Sequence, residues 1–274
     1  MTYDICIICV LYSKQPIETA TVKSLLENQH YLESKKVTLC FWDNSIQGFS
    51  ASSLSNFTVP TEYYHTGVNT SLSEVYNKII SDIDASSYII FDDDSDFSIE
   101  YFTCLDGFFQ SDEKIACPII YNGEHLISPG VVRGVRGAEI TESCLKKSTG
   151  NPDLISIMSG TVIKKSVLDF IKFDERLSLY GIDTKFYLSA KKNKINIYIL
   201  PYRMNHNSAL HEVTDVENHI KRLIVMLKSK WVVFDDVPFY KIKLVLYISA
   251  LSLYLSIKKD VRYIKLLKSI SYFK

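Results

Sequence analysis

The chain has 274 residues, 47% of them hydrophobic and 23% charged, enough apolar material for a sizeable core and too much for a disordered chain. Lys+Arg and Asp+Glu both total 31, but the charge is unevenly spread: from Lys221 onward there are 12 basic and 3 acidic residues. An acidic body with a basic end suits an anionic surface, and the lack of any nucleic-acid recognition motif argues against a nucleic-acid partner.

Tyr3–Tyr12 is a short, β-rich apolar run and is predicted to be a buried strand. It lacks the basic start and cleavage site of a signal peptide, so a cytoplasmic protein is expected. Cys6 and Cys9 lie inside this run. Residues three apart on a strand face opposite sides, and no second pair completes a zinc site. The six cysteines read as buried thiols in a reducing compartment. Pro16 opens a helical stretch with Val22, Leu25 and Leu26 on one face. Val37–Trp42 is a second strand, ending at Asp43-Asn44-Ser45. Ser71–Ile83 has the period of a helix, with Leu72, Val75, Tyr76, Ile79 and Ile80 as its stripe. Tyr88–Phe91 is a third strand and stops at Asp92-Asp93-Asp94. Alternating strands and helices predict a parallel α/β sheet whose ligands bind at the carboxyl ends of the strands.

Further on, 122–137 contains four glycines with Arg133 and Arg136, and reads as a long loop, solvated by preference, whose arginines could otherwise clamp phosphate. A strand is predicted over Ile155–Val162, a helix over Lys165–Ile171, another from Asp183 to Lys192, a strand over Ile195–Leu200, and helix from Asn218 on. The expected organisation is one domain over 1–217 followed by a helical, basic and apolar extension over 218–274.

The carboxylate run at Asp92–Asp96 carries the chemistry. Several carboxylates at the end of a buried strand repel one another, and a hard divalent cation such as Mg²⁺ or Mn²⁺, shared with substrate phosphates, would hold them there. A solvated acidic turn is the plainer alternative. Two registers fit, Asp92-x-Asp94 and Asp94-x-Asp96, the first being favoured because it sits on the strand end; Asp94 belongs to both.

The order of these features resembles the family 2 glycosyltransferases of the GT-A fold, and among them the rhamnosyltransferase-like enzymes of O-antigen and capsule synthesis. The resemblance is carried by Ile7–Tyr12, Trp42-Asp43-Asn44-Ser45, His65-Thr66-Gly67-Val68 with Asn77-Lys78-Ile79, and Phe91-Asp92-Asp93-Asp94-Ser95. It continues through Ser159-Gly160-Thr161-Val162, Phe173–Leu177, Tyr180–Thr184 and Met204-Asn205-His206. The chain departs from the pattern at Ser189, Asn193, Ile182 and Asn69-Thr70-Ser71, which bears on sugar and acceptor specificity.

The resemblance implies a Rossmann-like, mixed but mainly parallel sheet flanked by helices. It also implies inverting transfer from a nucleotide diphosphate sugar, rhamnose first among the donors, to a lipid-linked or oligosaccharide acceptor. Asp183 would be the general base, its plainer reading being a helix cap. Asp94 and Asp92 would hold the metal, with His206, or His211 in its place, as a further ligand. Tyr12, Asp43, Gly67, Asn77, Asp92 and Asp93 would surround the nucleotide; for Asn77 bracing a loop is equally open. Leu244–Ile257 is uncharged and flanked by Lys241, Lys243, Lys258 and Lys259. It reads either as a helix lying on the inner face of the cell membrane or as a packing or dimer helix. A sugar nucleotidyltransferase would carry a Gly-rich phosphate loop where this chain has Tyr12–Pro16. An inactive scaffold would not need the acidic run or Asp183.

Overall fold

The computed structural model describes residues 2–145, 152–205 and 215–272. β1 (Tyr3–Leu11) is followed by a 3-10 turn at Pro16–Glu18, α1 (Ala20–Glu27), α2 (Gln29–Glu33) and β2 (Val37–Asp43). Thr19 caps α1, its hydroxyl accepting the Val22 amide at 3.2 Å. β3 (Thr61–His65), α3 (Leu72–Asp82), β4 (Ala85–Asp92), α4 (Ile99–Gln110) and β5 (Ile115–Asn122) come next. Ser71 caps α3 by accepting the Glu74 amide at 3.3 Å. The chain then forms β6 (His125–Ser128), β7 (Gly130–Arg133), β8 (Arg136–Glu139), α5 (Glu142–Leu145), β9 (Leu154–Ile155) and β10 (Thr161–Lys164). It closes with α6 (Lys165–Leu168), α7 (Ile182–Lys192), β11 (Ile197–Asn205), α8 (Val216–Val233), α9 (Tyr240–Lys258) and a 3-10 helix at Val261–Tyr272.

The main sheet runs β3-β2-β1-β4-β10-β5-β11, with β6 paired to β5. β1, β2, β3 and β4 pair in parallel, as do β5 and β11, whereas β10 is antiparallel to both β4 and β5. β1 is apolar from Ile5 to Leu11 because both its faces are covered there. Ile5, Ile7, Cys9 and Leu11 enter one core layer, and Cys6, Ile8 and Val10 enter the other. Cys6 and Cys9 are therefore buried on opposite faces. From β1 the chain goes to one side for β2 and β3, then crosses to the other side for β4. That reversal opens a crevice at the carboxyl ends of β1 and β4.

Two expected elements differ. The segment 122–137 is not a loop but strands: β7 and β8 form a hairpin in which Arg133 faces Arg136, leaving Gly134 and Val135 as a two-residue turn. Gly134 takes a φ of 66°, as such a turn requires at its first central position. The predicted strand at Ile155–Val162 is two strands. β9 joins the small sheet β8-β7-β9, and β10 begins only at Thr161. Gly160, at φ 73°, breaks the run between them, and a Cβ there would lie 2.9 Å from Pro118.

Beyond residue 217 the helices do not form a separate body. Leu227, Trp231, Leu244, Ile248, Tyr263 and Leu266 belong to the same apolar cluster as Ile8, Tyr76 and Phe186.

Candidate functional site

The acidic turn after β4 is held from below by α1. The Thr21 hydroxyl donates to the Asp92 carbonyl and accepts the Ser95 amide at 3.0 Å. The Ser24 hydroxyl accepts the Phe97 amide at 3.1 Å. The Asp92 carboxylate accepts the Ser159 hydroxyl, which lies 3.3 Å from the Ser95 hydroxyl. Asp93 stands 3.8 Å from the Lys14 ammonium. Burial raises the Asp93 pKa; Lys14 works against that rise and the Asp94 charge adds to it.

These groups face a cleft of about 780 Å³ at the carboxyl ends of β1 and β4, in the size range of small-molecule sites. Tyr12, Lys14, Asn44, Thr70, Asp92 and Asp93 line it together with Ser178, Leu179 and Val225. Of the expected pair Asp92 and Asp94, Asp92 lines the cleft and Asp94 does not; Asp93 lines it instead.

Asp43 is fully buried beneath the cleft rather than in its wall. Its carboxylate accepts the Ser45 and Phe49 amides, each at 2.9 Å, and the Tyr63 hydroxyl at 2.6 Å. Burial alone would raise its pKa, but these hydrogen bonds outweigh it and hold Asp43 below the usual carboxylate value. Asp43 thus shapes the 44–49 loop, and the adjacent Asn44 reaches the cleft. Asn44 accepts the Thr70 amide at 2.7 Å and donates to the Thr70 carbonyl at 2.8 Å, pinning the loop that contains Gly67. Gly67 adopts φ 74° in that loop and is not in the wall. Asn77 is not in the cleft wall. Its amide donates to the Phe173 carbonyl and the Glu175 carboxylate, both at 2.9 Å, and its carbonyl accepts the Phe173 amide at 3.0 Å. It braces 173–175 against α3 rather than the first loop.

Asp183 lies in the first turn of α7, whose N-cap is Gly181; the cap reading of Asp183 is therefore replaced. Burial pushes its pKa up to about 6, with its own amide opposing and the Asp92 charge adding. Buried Tyr76 feels the charges of both Asp92 and Asp183, after the effect of its own burial. Asp183 opens onto a second cavity of about 240 Å³, shared with Gly137, Tyr180, Met226, Ser229 and Lys230. Leu179 lines both cavities. Burial lowers the Lys230 pKa to about 8, and its ammonium donates to the Val135 carbonyl at 3.2 Å. Lys14, Thr21 and Lys230 had no local sequence signal, whereas Asn44 lies in the Asp43-Asn44-Ser45 turn that the sequence marks. Arg133 and Arg136 pair across the β7–β8 hairpin and line neither cavity.

Two carboxylates at the cleft are a sparse donor set for a divalent cation. No group of three or more His, Cys, Asp or Glu side chains placed to hold one occurs among the described residues. The set fits a cation that brings most of its oxygen ligands with it, as Mg²⁺ does when bound to a diphosphate. His206 and His211 lie outside the described residues.

The strand order, the antiparallel β10 inside a mainly parallel sheet and the flanking helices define a GT-A-like fold. The fold is shared with TarS of S. aureus. TarS 1–349 in complex with UDP-GlcNAc superposes with a TM-score of 0.54 at 11% identity, covering 96% of this chain and 78% of that one. For TarS 1–349 in complex with UDP the values are 0.53, 11%, 97% and 80%. For a longer TarS chain they are 0.51, 11%, 93% and 44%, so this chain spans less than half of that protein. At this identity the likeness is one of fold. The sequence matches no protein-family model and no curated protein.

Proposed function

We propose that the protein is an inverting glycosyltransferase that moves a sugar from a nucleoside diphosphate sugar to a hydroxyl of a surface-glycan acceptor. One observation carries the reading: the cleft at the β1/β4 crevice, walled by Asp92 and Asp93, adjoins across Leu179 a second cavity holding Asp183. Donor and acceptor then occupy the two cavities, and the reacting atoms meet near Asp92 and Asp183, whose charges interact. Asp183 takes the proton of the attacking hydroxyl. The acceptor oxygen bonds to the anomeric carbon while the bond to the diphosphate breaks, and the nucleoside diphosphate leaves with the electron pair. Tyr12, exposed at the rim, stacks on the nucleobase, and Lys14 balances phosphate charge. Asp43 acts indirectly by fixing the loop that presents Asn44. A divalent cation carried in by the diphosphate would be held by Asp92 and its neighbours in the Asp92–Asp94 run, and would neutralise charge on the leaving group.

The test follows release of nucleoside diphosphate from a panel that includes UDP-GlcNAc and a dTDP-rhamnose donor, with and without Mn²⁺ or Mg²⁺. Turnover of one donor, abolished in Asp92→Asn and Asp183→Asn, is expected. Retained turnover in Asp183→Asn would remove it as base. Absence of binding and turnover with every donor would favour a scaffold of the same fold.

A further inference from the structure

α9 is apolar on two opposite sides. Leu244, Ile248, Ser252 and Leu255 are buried against the domain. Ile242, Leu246, Leu253 and Ile257 are 62%, 65%, 58% and 72% exposed. At 3.6 residues per turn these four fall within a sector of about 60°, roughly opposite the buried stripe. The 3-10 helix that follows continues the pattern with its own period of three. Tyr263, Leu266 and Ser269 are buried, whereas Val261, Ile264 and Leu267 are exposed. The third face carries Arg262, Lys265 and Lys268. Lys243, Lys258 and Lys259 add exposed positive charge around the apolar strip, against Asp260 and Glu217, which pair with Arg262 and Lys265.

We infer that α9 and the terminal 3-10 helix form one docking surface for an anionic lipid leaflet, with α9 lying in the plane of the interface. A contiguous exposed apolar strip is costly in water and marks an interaction surface. The basic rim selects the occupant: lysine and arginine at the rim of such a strip are attracted to anionic headgroups. A two-fold contact between copies through the same strip would instead set like charges against each other. α9 has the length and composition to cross a bilayer, but its buried stripe packs on the domain, so it lies on the leaflet rather than through it.

The position of α8 gives this surface its purpose. On one side, Val225 lines the donor cleft, and Met226, Ser229 and Lys230 line the Asp183 cavity. On the other, Trp231 donates to the Ser269 carbonyl at 2.9 Å and His219 lies 2.7 Å from the Tyr263 hydroxyl. The Asp183 cavity is thus separated from the docking surface by two helix layers, α8 and the terminal 3-10 helix, roughly 20 Å. A hydroxyl acceptor anchored to a lipid would be presented within reach. This consequence rests on the glycosyl-transfer reading; the docking surface does not.

The experiment is co-sedimentation of the full chain with vesicles of phosphatidylcholine, with and without phosphatidylglycerol, at low and high salt. The triple variant Leu246→Gln/Leu253→Gln/Ile257→Gln and the charge variant Lys243→Glu/Lys258→Glu run alongside, and their thermal melts confirm folding. Binding that needs the anionic lipid, weakens with salt and falls at least about tenfold in both variants is expected. Equal binding to neutral and anionic vesicles, or none to either, would overturn the proposal. So would a wild-type dimer in analytical ultracentrifugation that the triple variant turns into a monomer, which would make the strip a contact between copies. None of these readouts depends on turnover.

Discussion

Asp183 shows how far one residue's environment sets its chemistry. A carboxyl of ordinary pKa 3.8 is moved to about 6 by burial, with the Asp92 charge adding to the shift. Below that value it is protonated and cannot accept a proton; above it, it is a base. The turnover rate of the wild type is expected to rise with pH through about 6, and Asp183→Asn to lose about 10²- to 10⁴-fold in kcat at pH 7. The stability effect has the opposite sign. The folded state holds the Asp183 proton more tightly than the unfolded state, so stability falls as pH rises from about 4 to 6. Asp183→Asn, which cannot ionise, is expected to melt no lower than wild type at pH 7, and higher relative to it than at pH 4. Asn77 is a contrasting residue whose polar atoms are spent within the fold. Asn77→Ala leaves Phe173 and Glu175 short of partners and is expected to cost about 1–3 kcal/mol by denaturant melts. If Asn77 instead touched the donor, nucleotide affinity would fall by more than stability.

Among the elements, the start of α7 is the most constrained. Gly181 sits at φ 85° directly under α8, where a Cβ would lie 2.5 Å from Val233 Cγ2 and 3.2 Å from Ser229 Oγ. Backbone strain and overpacking act together there. Gly181→Ala is expected to lose about 2 kcal/mol or more, read as a lower unfolding midpoint, and to misplace Asp183 because the cap and the base share one turn. A variant as stable and active as wild type would show that α8 does not press on this turn. The β7–β8 hairpin is a second element that matters by position: its turn at Val135 accepts the Lys230 ammonium, and its Gly137 lines the Asp183 cavity. Its glycines read as a loop in the sequence because a two-residue hairpin of four-residue strands is too short for a period to stand out.

At the scale of the whole molecule, one apolar cluster runs from β1 through α7 to α8, α9 and the terminal 3-10 helix. Removing residues from 218 onward would uncover the face of α7 that packs against α8. The truncated chain is expected to aggregate or to lose its cooperative melt, and a soluble, cooperatively melting 1–217 fragment would contradict the shared core.

The parallel strands β1, β2 and β4 were legible because a strand covered on both faces must be apolar, and their ends were legible because Asp43 and Asp92–Asp94 interrupt that run. The helix at α3 was legible from its period and its Ser71 cap. The sequence by itself therefore determined the sheet-forming half of the protein and the placing of its acidic turn, since burial and period act over a few neighbouring residues. Only the tertiary structure decided which carboxylates line the cleft, that Asp43 and Asn77 serve the scaffold, that Lys14 and Lys230 stand at cavities, and that α9 keeps an uncovered apolar face. Those outcomes depend on groups from distant parts of the chain, such as Thr21 under Asp92 and α8 against Gly181, and no local pattern records which partner a buried polar group will find.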